Sequence, residues 1–280
     1  MFIVKGALRT MARRRFKSVM VLAVSLVLVL FINMYTETTF KHQATLADLH
    51  ESIEVTGYIT GSDANQVENL GIDADVIKEL EVSGFVARGL YTRTLRYLVE
   101  PWPQMETTQL HNMLFNAPKL VGANDISAIG VFTFAQAALP EYMEGYDEGL
   151  FSAEERVCIV SNNFLVSHAL ELGDEVQLTV AENPSLMTET TYRHSAVTLQ
   201  IVGVYASNGY RPPIYCPWQV VEDIYREIDL PLIWDSASFI LQNTQDLDGF
   251  KALLREMGFV SHRAAGQSSF LDDSLGFIIN

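Results

Sequence analysis

The architecture of this chain is decided by the stretch Val19–Met34, VMVLAVSLVLVLFINM, in which Ser25 and Asn33 are the only polar residues. Counted from Phe16 to Tyr35, the apolar run is 20 residues long. As an α-helix rising ~1.5 Å per residue it spans roughly 30 Å, the thickness of the hydrocarbon core of a bilayer. The sequence therefore predicts a transmembrane helix near the N-terminus.

Charge is distributed unevenly on the two sides of this helix. Residues 1–18 carry six of the 19 basic residues and no acidic residue, whereas the rest of the chain, with 13 basic and 34 acidic residues, has a formal net charge of −21. Because basic flanks of a membrane helix stay in the cytoplasm, we expect a cytoplasmic N-terminus at the cell membrane and an extracytoplasmic region over residues 36–280. The acidic balance of that region argues against nucleic acid as a partner, since phosphate binding needs a basic surface.

A cleaved signal peptide is the alternative to an anchor, because it has the same basic leader and apolar core. The apolar run ends in FINMYTE, residues 31–37, which has no pair of small residues at cleavage spacing, so we expect the helix over residues 19–35 to stay in place. Apolar residues at helical spacing predict a basic amphipathic helix over residues 1–18. The scarcity of helix breakers predicts a helical stalk over residues 36–50.

Beyond the stalk, the sequence predicts two strand–helix–strand patterns. In the first, strand Ser52–Thr60 is followed by a helix that Asp73 and Gly84 can cap, and then by strand Phe85–Val99; this order is typical of a βαβ or split-βαβ unit. The second pattern comprises strand Arg156–Ser161, helix Asn162–Leu170, a turn at Gly173 and strand Glu175–Ala181. Residues 182–194 are predicted to form a polar loop or hairpin tip. Further strands are predicted at Lys119–Phe134, Ala196–Ala206, Ile214–Cys216 and Ala237–Gln242, and further helices at Thr107–Phe115, at Pro217–Ile228 and after Asp246.

The motifs that carry common enzyme chemistry are absent from the sequence. It contains no GxxxxGK[ST] phosphate loop, no HExxH, no CxxC and no GxSxG, and its six histidines lack metal-ligand spacing. Acidic pairs such as Glu154-Glu155 are adjacent in sequence, so their side chains point apart on a helix or strand. The sequence therefore predicts no catalytic, cofactor-binding or metal site in this chain.

The two cysteines, Cys158 and Cys216, each lie in an apolar, strand-like run. Two cysteines are too few for a disulfide-stabilised secreted scaffold. We expect two buried free thiols, with a single Cys158–Cys216 disulfide as the alternative.

Three segments carry a family resemblance. VKGALRTMARRRFKSVMVLAVSLVLVLFI (residues 4–32) is a basic amphipathic segment running into an apolar helix, and GLFSAEERVCIVSNNFLVSHALELGDEVQLTV (residues 149–180) holds a strand, a helix and the turn Leu172-Gly173-Asp174. VTLQIVGVYAS (residues 197–207), followed by IYCPW (residues 214–218), matches a strand pair that comes next. Together these segments resemble the N-terminal helix and the MacB-like periplasmic core domain of MacB/FtsX-type ABC transporter permeases.

The resemblance implies an α+β fold in which the transmembrane helix precedes a two-subdomain extracytoplasmic region. A porter-like α/β subdomain, split in sequence, would comprise about residues 50–135 and 236–275, and a small α/β subdomain over residues 136–235 would be inserted into it. The implied function is that of a permease subunit in membrane lipid, which pairs with a second permease copy, identical or different, and binds a cytoplasmic ABC ATPase. ATP would bind that partner, and its hydrolysis would drive export or extraction of a hydrophobic, peptide or lipoprotein substrate by mechanotransmission through the stalk.

Members of this family have an FtsX-like block of three more membrane helices after the external domain. No such block occurs before Asn280, so we expect the sequence to be the N-terminal fragment of a longer permease, with a naturally shorter relative as the alternative. Two other functions fit the same architecture. One is an FtsX-like membrane regulator of external cell-wall hydrolases, and the other is a single-span extracytoplasmic sensor or adhesion domain.

Overall fold

The computed structural model describes residues 15–52, 55–61, 70–99, 101–103, 107–133, 139–182, 192–207, 209, 211–261 and 276–279. The chain divides into two compact units, Met1–Glu54 and Val55–Asn280. Most of the amphipathic helix predicted over residues 1–18 lies outside the described residues.

Among its described residues, the first unit contains one helix, α1 (Arg15–Ser52), which is 38 residues long. The predicted transmembrane segment and the predicted stalk are therefore parts of a single helix. Threonines after the apolar run fit into it because their hydroxyl groups donate to carbonyl oxygens one turn earlier, as in Thr38 to Met34 (2.7 Å) and Thr45 to Lys41 (2.8 Å). These bonds satisfy the threonine hydroxyl groups within the helix, at a small cost in helix stability.

The second unit contains 13 strands and six α-helices among the described residues. The strands are β1 (Thr56–Thr60), β2 (Ile72–Asp73), β3 (Val86–Leu98), β4 (Lys119–Ala123), β5 (Glu141–Tyr142), β6 (Val157–Ser161), β7 (Glu175–Glu182), β8 (Arg193–Tyr205), β9 (Ile214–Pro217), β10 (Ile233–Trp234), β11 (Ser236–Leu241), β12 (Val260–Ser261) and β13 (Gly276–Ile279). The helices are α2 (Ala74–Val82), α3 (Thr107–Phe115), α4 (Gly130–Thr133), α5 (Asn162–His168), α6 (Trp218–Glu227) and α7 (Leu247–Glu256).

One part of this unit is an open sheet in the order β12-β13-β1-β11-β3. β1 lies between β13 and β11 and is antiparallel to both, and β11 is antiparallel to β3. β1–α2–β3 and β11–α7–β13 are therefore two split-βαβ units, each with a strand of the other between its own strands. The split-βαβ interpretation of the first pattern is confirmed. The core of this open-sheet part is formed by buried side chains that include Ile59, Ile72, Leu80, Trp234, Phe239, Phe250 and Phe277.

The other part of the unit is a small closed barrel. The strands pair in the cycle β3-β4-β9-β6-β8-β7 and back to β3. Alternate residues of every one of these strands face the same core, including Leu95, Leu120, Cys158, Leu178, Leu199 and Ile214. Six strands leave an interior that side chains fill, so the barrel is a packed core.

β3 belongs to both parts of the unit. Its first half, Val86–Thr92, pairs with β11, and its second half, Thr92–Leu98, pairs with β4 and β7. The chain leaves the open sheet along β3 and returns to it at Ser236, so the barrel is an insertion between two adjacent strands. One continuous sheet passes through both parts, so no break in the sheet marks a boundary between subdomains. The subdomain bounds 50–135, 136–235 and 236–275 therefore stay predictions.

Local signals located most elements correctly. Asp73 caps α2 by accepting a hydrogen bond from the backbone N–H of Asp75 (2.9 Å), and Gly84 follows the helix at φ +80°. Gly173 has φ +94° in the predicted turn. The helix predicted after Asp246 begins at Leu247, with Asp246 in the N-cap position, but the Asp246 side chain makes no capping hydrogen bond.

The strand predicted over Lys119–Phe134 is wrong from Asn124 to Thr133, and Phe134 lies outside the described residues. Asn124 turns aside to bond β3, accepting from the N–H of Tyr91 (2.9 Å) and donating to the carbonyl oxygen of Gly89 (2.7 Å). The Asp125 carboxylate then accepts from the N–H of Ser127 (2.8 Å) and starts a 3₁₀ turn. Side chains that bond backbone groups compete with strand pairing, and this ends β4 although the following residues are apolar.

Candidate functional site

The apolar part of α1 is the first functional feature. Val19–His42, 24 residues, is long and apolar enough to cross a membrane, and it is the one such segment among the described residues. The large apolar side chains from Val19 to Tyr35 are 54–74% exposed, and none of the segment is buried by protein. A helix that is apolar all round needs an apolar environment on every side, and no protein surface in the described chain supplies it.

The second feature is a buried ionic network at the junction of open sheet and barrel. Arg93 lies on β3 in the inward row that also contains Tyr91, Leu95 and Tyr97. Its guanidinium donates through Nη1 to Asp235 and through Nη2 to Glu182 Oε2 (2.9 Å). Its Nε donates to the hydroxyl of Tyr225 (2.6 Å). One side chain thus joins β3, β7, α6 and the segment before β11.

Asp235 makes further hydrogen bonds at this junction, through its backbone as well as its side chain. Its Oδ2 accepts from the N–H of Thr94 (2.6 Å), and its own N–H donates to the carbonyl oxygen of Thr92 (2.9 Å). Its carbonyl oxygen accepts from the N–H of Leu70 (2.9 Å). These bonds cross the place where the chain leaves the open sheet along β3 and returns to it along β11.

In this network the buried positive charge of Arg93 is paired with two carboxylates. The side chains of Arg93 and Asp235 are each 8% exposed, and that of Glu182 is 20% exposed. Burial alone would lower the pKa of Arg93, but the Asp235 carboxylate, with Tyr225 and Glu182, outweighs burial and raises it. Burial is the main cause that raises the pKa of Tyr225. The Arg93 guanidinium therefore stays charged and hydrogen-bonded, which suits a structural clamp.

The two cysteines lie inside the barrel. Ile159 on β6 pairs with Tyr215 on β9 in antiparallel register, so Cys158 and Cys216 occupy the next opposed positions. Both are buried free thiols, and burial raises the pKa of each. The disulfide alternative stays a prediction.

No catalytic constellation emerges from the tertiary structure of the described residues. Within that part of the chain, no three His, Cys, Asp or Glu side chains lie together as metal ligands would. Trp234 is buried, and its ring lies 4.5 Å from that of Tyr91 and 6.1 Å from that of Trp218. These aromatic residues pack the core beside the ionic network.

Sequence patterns did not identify Arg93 or Asp235 as functional residues. A signal was present, because the alternation of Tyr91, Arg93, Leu95 and Tyr97 places a cation in an otherwise apolar, inward-facing row. A buried cation requires an anionic partner. The partner is 142 residues away in the chain, and no local pattern identifies it.

Comparison with known proteins gives 23 similar chains of solved structure, among them the following two. No family model matches the chain, and no curated protein matches it significantly. The periplasmic region of MacB from Actinobacillus actinomycetemcomitans is similar at 12% identity and a TM-score of 0.42, covering 82% of this chain and 89% of that one. The extracellular domain of the ABC-type transporter YknZ from Gram-positive bacteria is similar at 10% identity and a TM-score of 0.40, covering 81% of this chain and 100% of that one.

Because both TM-scores are below 0.5, the architecture given above depends on the strand pairing of this chain alone.

Proposed function

We propose that this chain is part of the permease subunit of an ABC transporter and acts mechanically. The apolar segment of α1 anchors it in the cell membrane with the N-terminus in the cytoplasm, and Val55–Asn280 forms an extracytoplasmic α+β domain. A separate ATPase, bound on the cytoplasmic side, supplies the energy. The cargo is a hydrophobic, peptide or lipoprotein substrate, and a second permease copy completes the transporter.

The single observation that carries this proposal is the uninterrupted helix from Arg15 to Ser52. At ~1.5 Å per residue it is roughly 57 Å long, about twice the thickness of a bilayer's hydrocarbon core. A helix that only anchored a domain could end at the membrane surface. One that continues for several more turns can transmit rotation or translation, because its backbone hydrogen bonds resist bending.

Two further features support the mechanical interpretation. The sequence segments quoted above resemble MacB/FtsX-type permeases over the helix and the barrel strands. In the second unit, the Arg93 network fastens the barrel insertion to the open sheet, so a displacement of one part would be passed to the other.

The proposal is tested by introducing a flexible segment into α1 of the complete transporter. Seven residues of Gly-Ser sequence are inserted after Thr45, and transport and ATP hydrolysis are measured in the same reconstituted vesicles. We expect ATP hydrolysis to persist and transport to fall at least tenfold, because a flexible segment transmits no torque.

The matched control is an insertion of seven Ala-rich residues at the same position. Seven residues make about two helical turns and nearly restore the original phase, so this variant should retain most of its transport. Unchanged transport with the Gly-Ser insertion would contradict the mechanical role. Equal loss with both insertions would show that length, and not stiffness, is what matters.

A further inference from the structure

Three adjoining cavities surround the segment Asn116–Pro118 at one end of the barrel. The largest, about 900 Å³, is lined by Arg96, Lys119 and Arg211 together with apolar side chains of α3 and β3. A second of about 470 Å³ shares Arg96, Phe115 and Lys119 with it, and a third of about 420 Å³ shares Pro118 and Arg211. We call these connected cavities the Lys119 groove.

The charge of this groove is opposite to that of the domain around it. Arg96 and Lys119 are register partners on β3 and β4, so their side chains lie side by side. Arg96 donates to the carbonyl oxygen of Ala117 (2.7 Å), and Lys119 is exposed. Among the described residues, no carboxylate lies within ion-pair distance of Arg96 or Lys119; seven other basic residues have such a partner, and Lys251 and Arg255 on α7 also have none.

The acidic side chains that line the groove do not neutralise this pair. Glu182 and Asp235 line the 470 Å³ cavity, but both are engaged by Arg93. The largest cavity has no acidic lining residue. An acidic protein that keeps two adjacent cations without carboxylate partners attracts an anion to that place.

The groove also has an apolar wall. Phe115 is 70% exposed, and Leu98 and Met113, half-buried, lie in the same lining. A cavity of this size is in the usual range for small-molecule sites, which are mostly apolar with a few polar groups that fix the orientation. Two cations beside exposed apolar surface suit a molecule with an anionic head and one hydrocarbon chain.

We infer that the Lys119 groove binds a single-chain anionic amphiphile. Lys119 and Arg96 hold its carboxylate or phosphate head, and Phe115, Met113 and Leu98 contact its chain. The inference depends only on the groove and is independent of coupling to an ATPase. It would also give the proposed permease a ligand of defined chemical class.

The test uses the full chain in nanodiscs of zwitterionic lipid, with empty nanodiscs to subtract partitioning. Radiolabelled dodecanoate and dodecyl phosphate are the probes, and dodecyltrimethylammonium is the cationic counterpart. We expect saturable binding of both anions, and the ratio of their affinities shows which head group is preferred. Lys119→Glu should weaken binding at least tenfold, as reversal of a contacting charge does, and Lys119→Arg should restore it.

The matched control is Lys78→Glu, the same charge change on α2, where the side chain is 72% exposed. It should leave binding unchanged, and equal melting temperatures of the variants exclude unfolding as the cause of any loss. Equal weakening by both substitutions, non-saturable uptake, or equal binding of the cationic probe would overturn the inference. Preferential binding of an acidic peptide over dodecanoate at this groove would overturn it as well.

Discussion

Replacing Arg93 by Gln should lower the free energy of unfolding of the second unit far more than replacing an exposed arginine would. The substitution removes the cation that faces Asp235 and Glu182, while the Asp235 carboxylate stays buried and bonded to the N–H of Thr94 (2.6 Å). The Tyr225 hydroxyl also loses its donor. Asp235 is then a buried carboxylate without a cation. This raises the free energy of the folded state, because the desolvation of the carboxylate is no longer offset.

The magnitude follows from the geometry. Breaking a buried ion pair by removing one partner costs about 3–5 kcal/mol, and we expect the lower end, about 3 kcal/mol, because Thr94 and solvent near the partly exposed Glu182 still compensate. In a domain of this size that corresponds to a fall in melting temperature of about 6–12 °C. The double variant Arg93→Gln/Asp235→Asn should cost less than the sum of the two single variants by about 2 kcal/mol.

Tryptophan fluorescence measures this directly. Trp234 is buried beside Asp235, and its ring lies 6.1 Å from that of Trp218, so unfolding at the network changes the emission. Urea unfolding of the wild type, both single variants and the double variant gives the coupling free energy, provided that the slope with urea concentration stays constant.

The matched control is Arg156→Gln. Arg156 is 50% exposed and lies 3.4 Å from Asp223 and 3.5 Å from Glu227, and exposed ion pairs contribute about 0–1 kcal/mol. If Arg93→Gln cost no more than Arg156→Gln, or if the two junction substitutions were additive, the clamp interpretation would be refuted.

Three further predictions concern other parts of the chain. Burial raises the pKa of the Cys158 and Cys216 thiols from an ordinary value near 9. Above that pH both thiols stay protonated in the folded state but ionise in the unfolded state. The contribution of the two thiols to the free energy of unfolding is therefore fully present below pH 9 and falls above it. Under reducing conditions each thiol should destabilise the folded state by roughly 1 kcal/mol at pH 10. Urea unfolding of the double Ala variant should show a smaller loss of stability at pH 10 than the wild type, because only other groups, such as the buried Tyr225, still titrate there. Gly122→Ala should cost about 1–3 kcal/mol, because a Cβ there would lie 2.3 Å from Val221 Cγ2; thermal unfolding of the single variant and of the double variant with Val221→Ala should show a non-additive effect. Leu26→Asp should raise the free energy of membrane insertion by about 3 kcal/mol and reduce the fraction retained in the membrane pellet after alkaline carbonate extraction.

Much of the secondary structure follows from local signals. The strand β7, the turn at Gly173 and helix α3 lie within a residue or two of their predicted positions, because alternation, positive φ and helical periodicity act over a few residues. The failure at Lys119–Phe134 has the opposite cause. Asn124 bonds the neighbouring strand β3, more than 30 residues earlier, and this contact decides where β4 ends.

By itself, the sequence determined that this protein has an apolar helix of membrane length and an asymmetric charge distribution, since composition and periodicity suffice for both, and its family resemblance implied the α+β fold. Only the tertiary structure decided that six strands close into a barrel, that Arg93 meets Asp235 and that Arg96 lies beside Lys119. These are pairings between distant segments, and strand order and register, which no short stretch encodes, fix which side chains become neighbours.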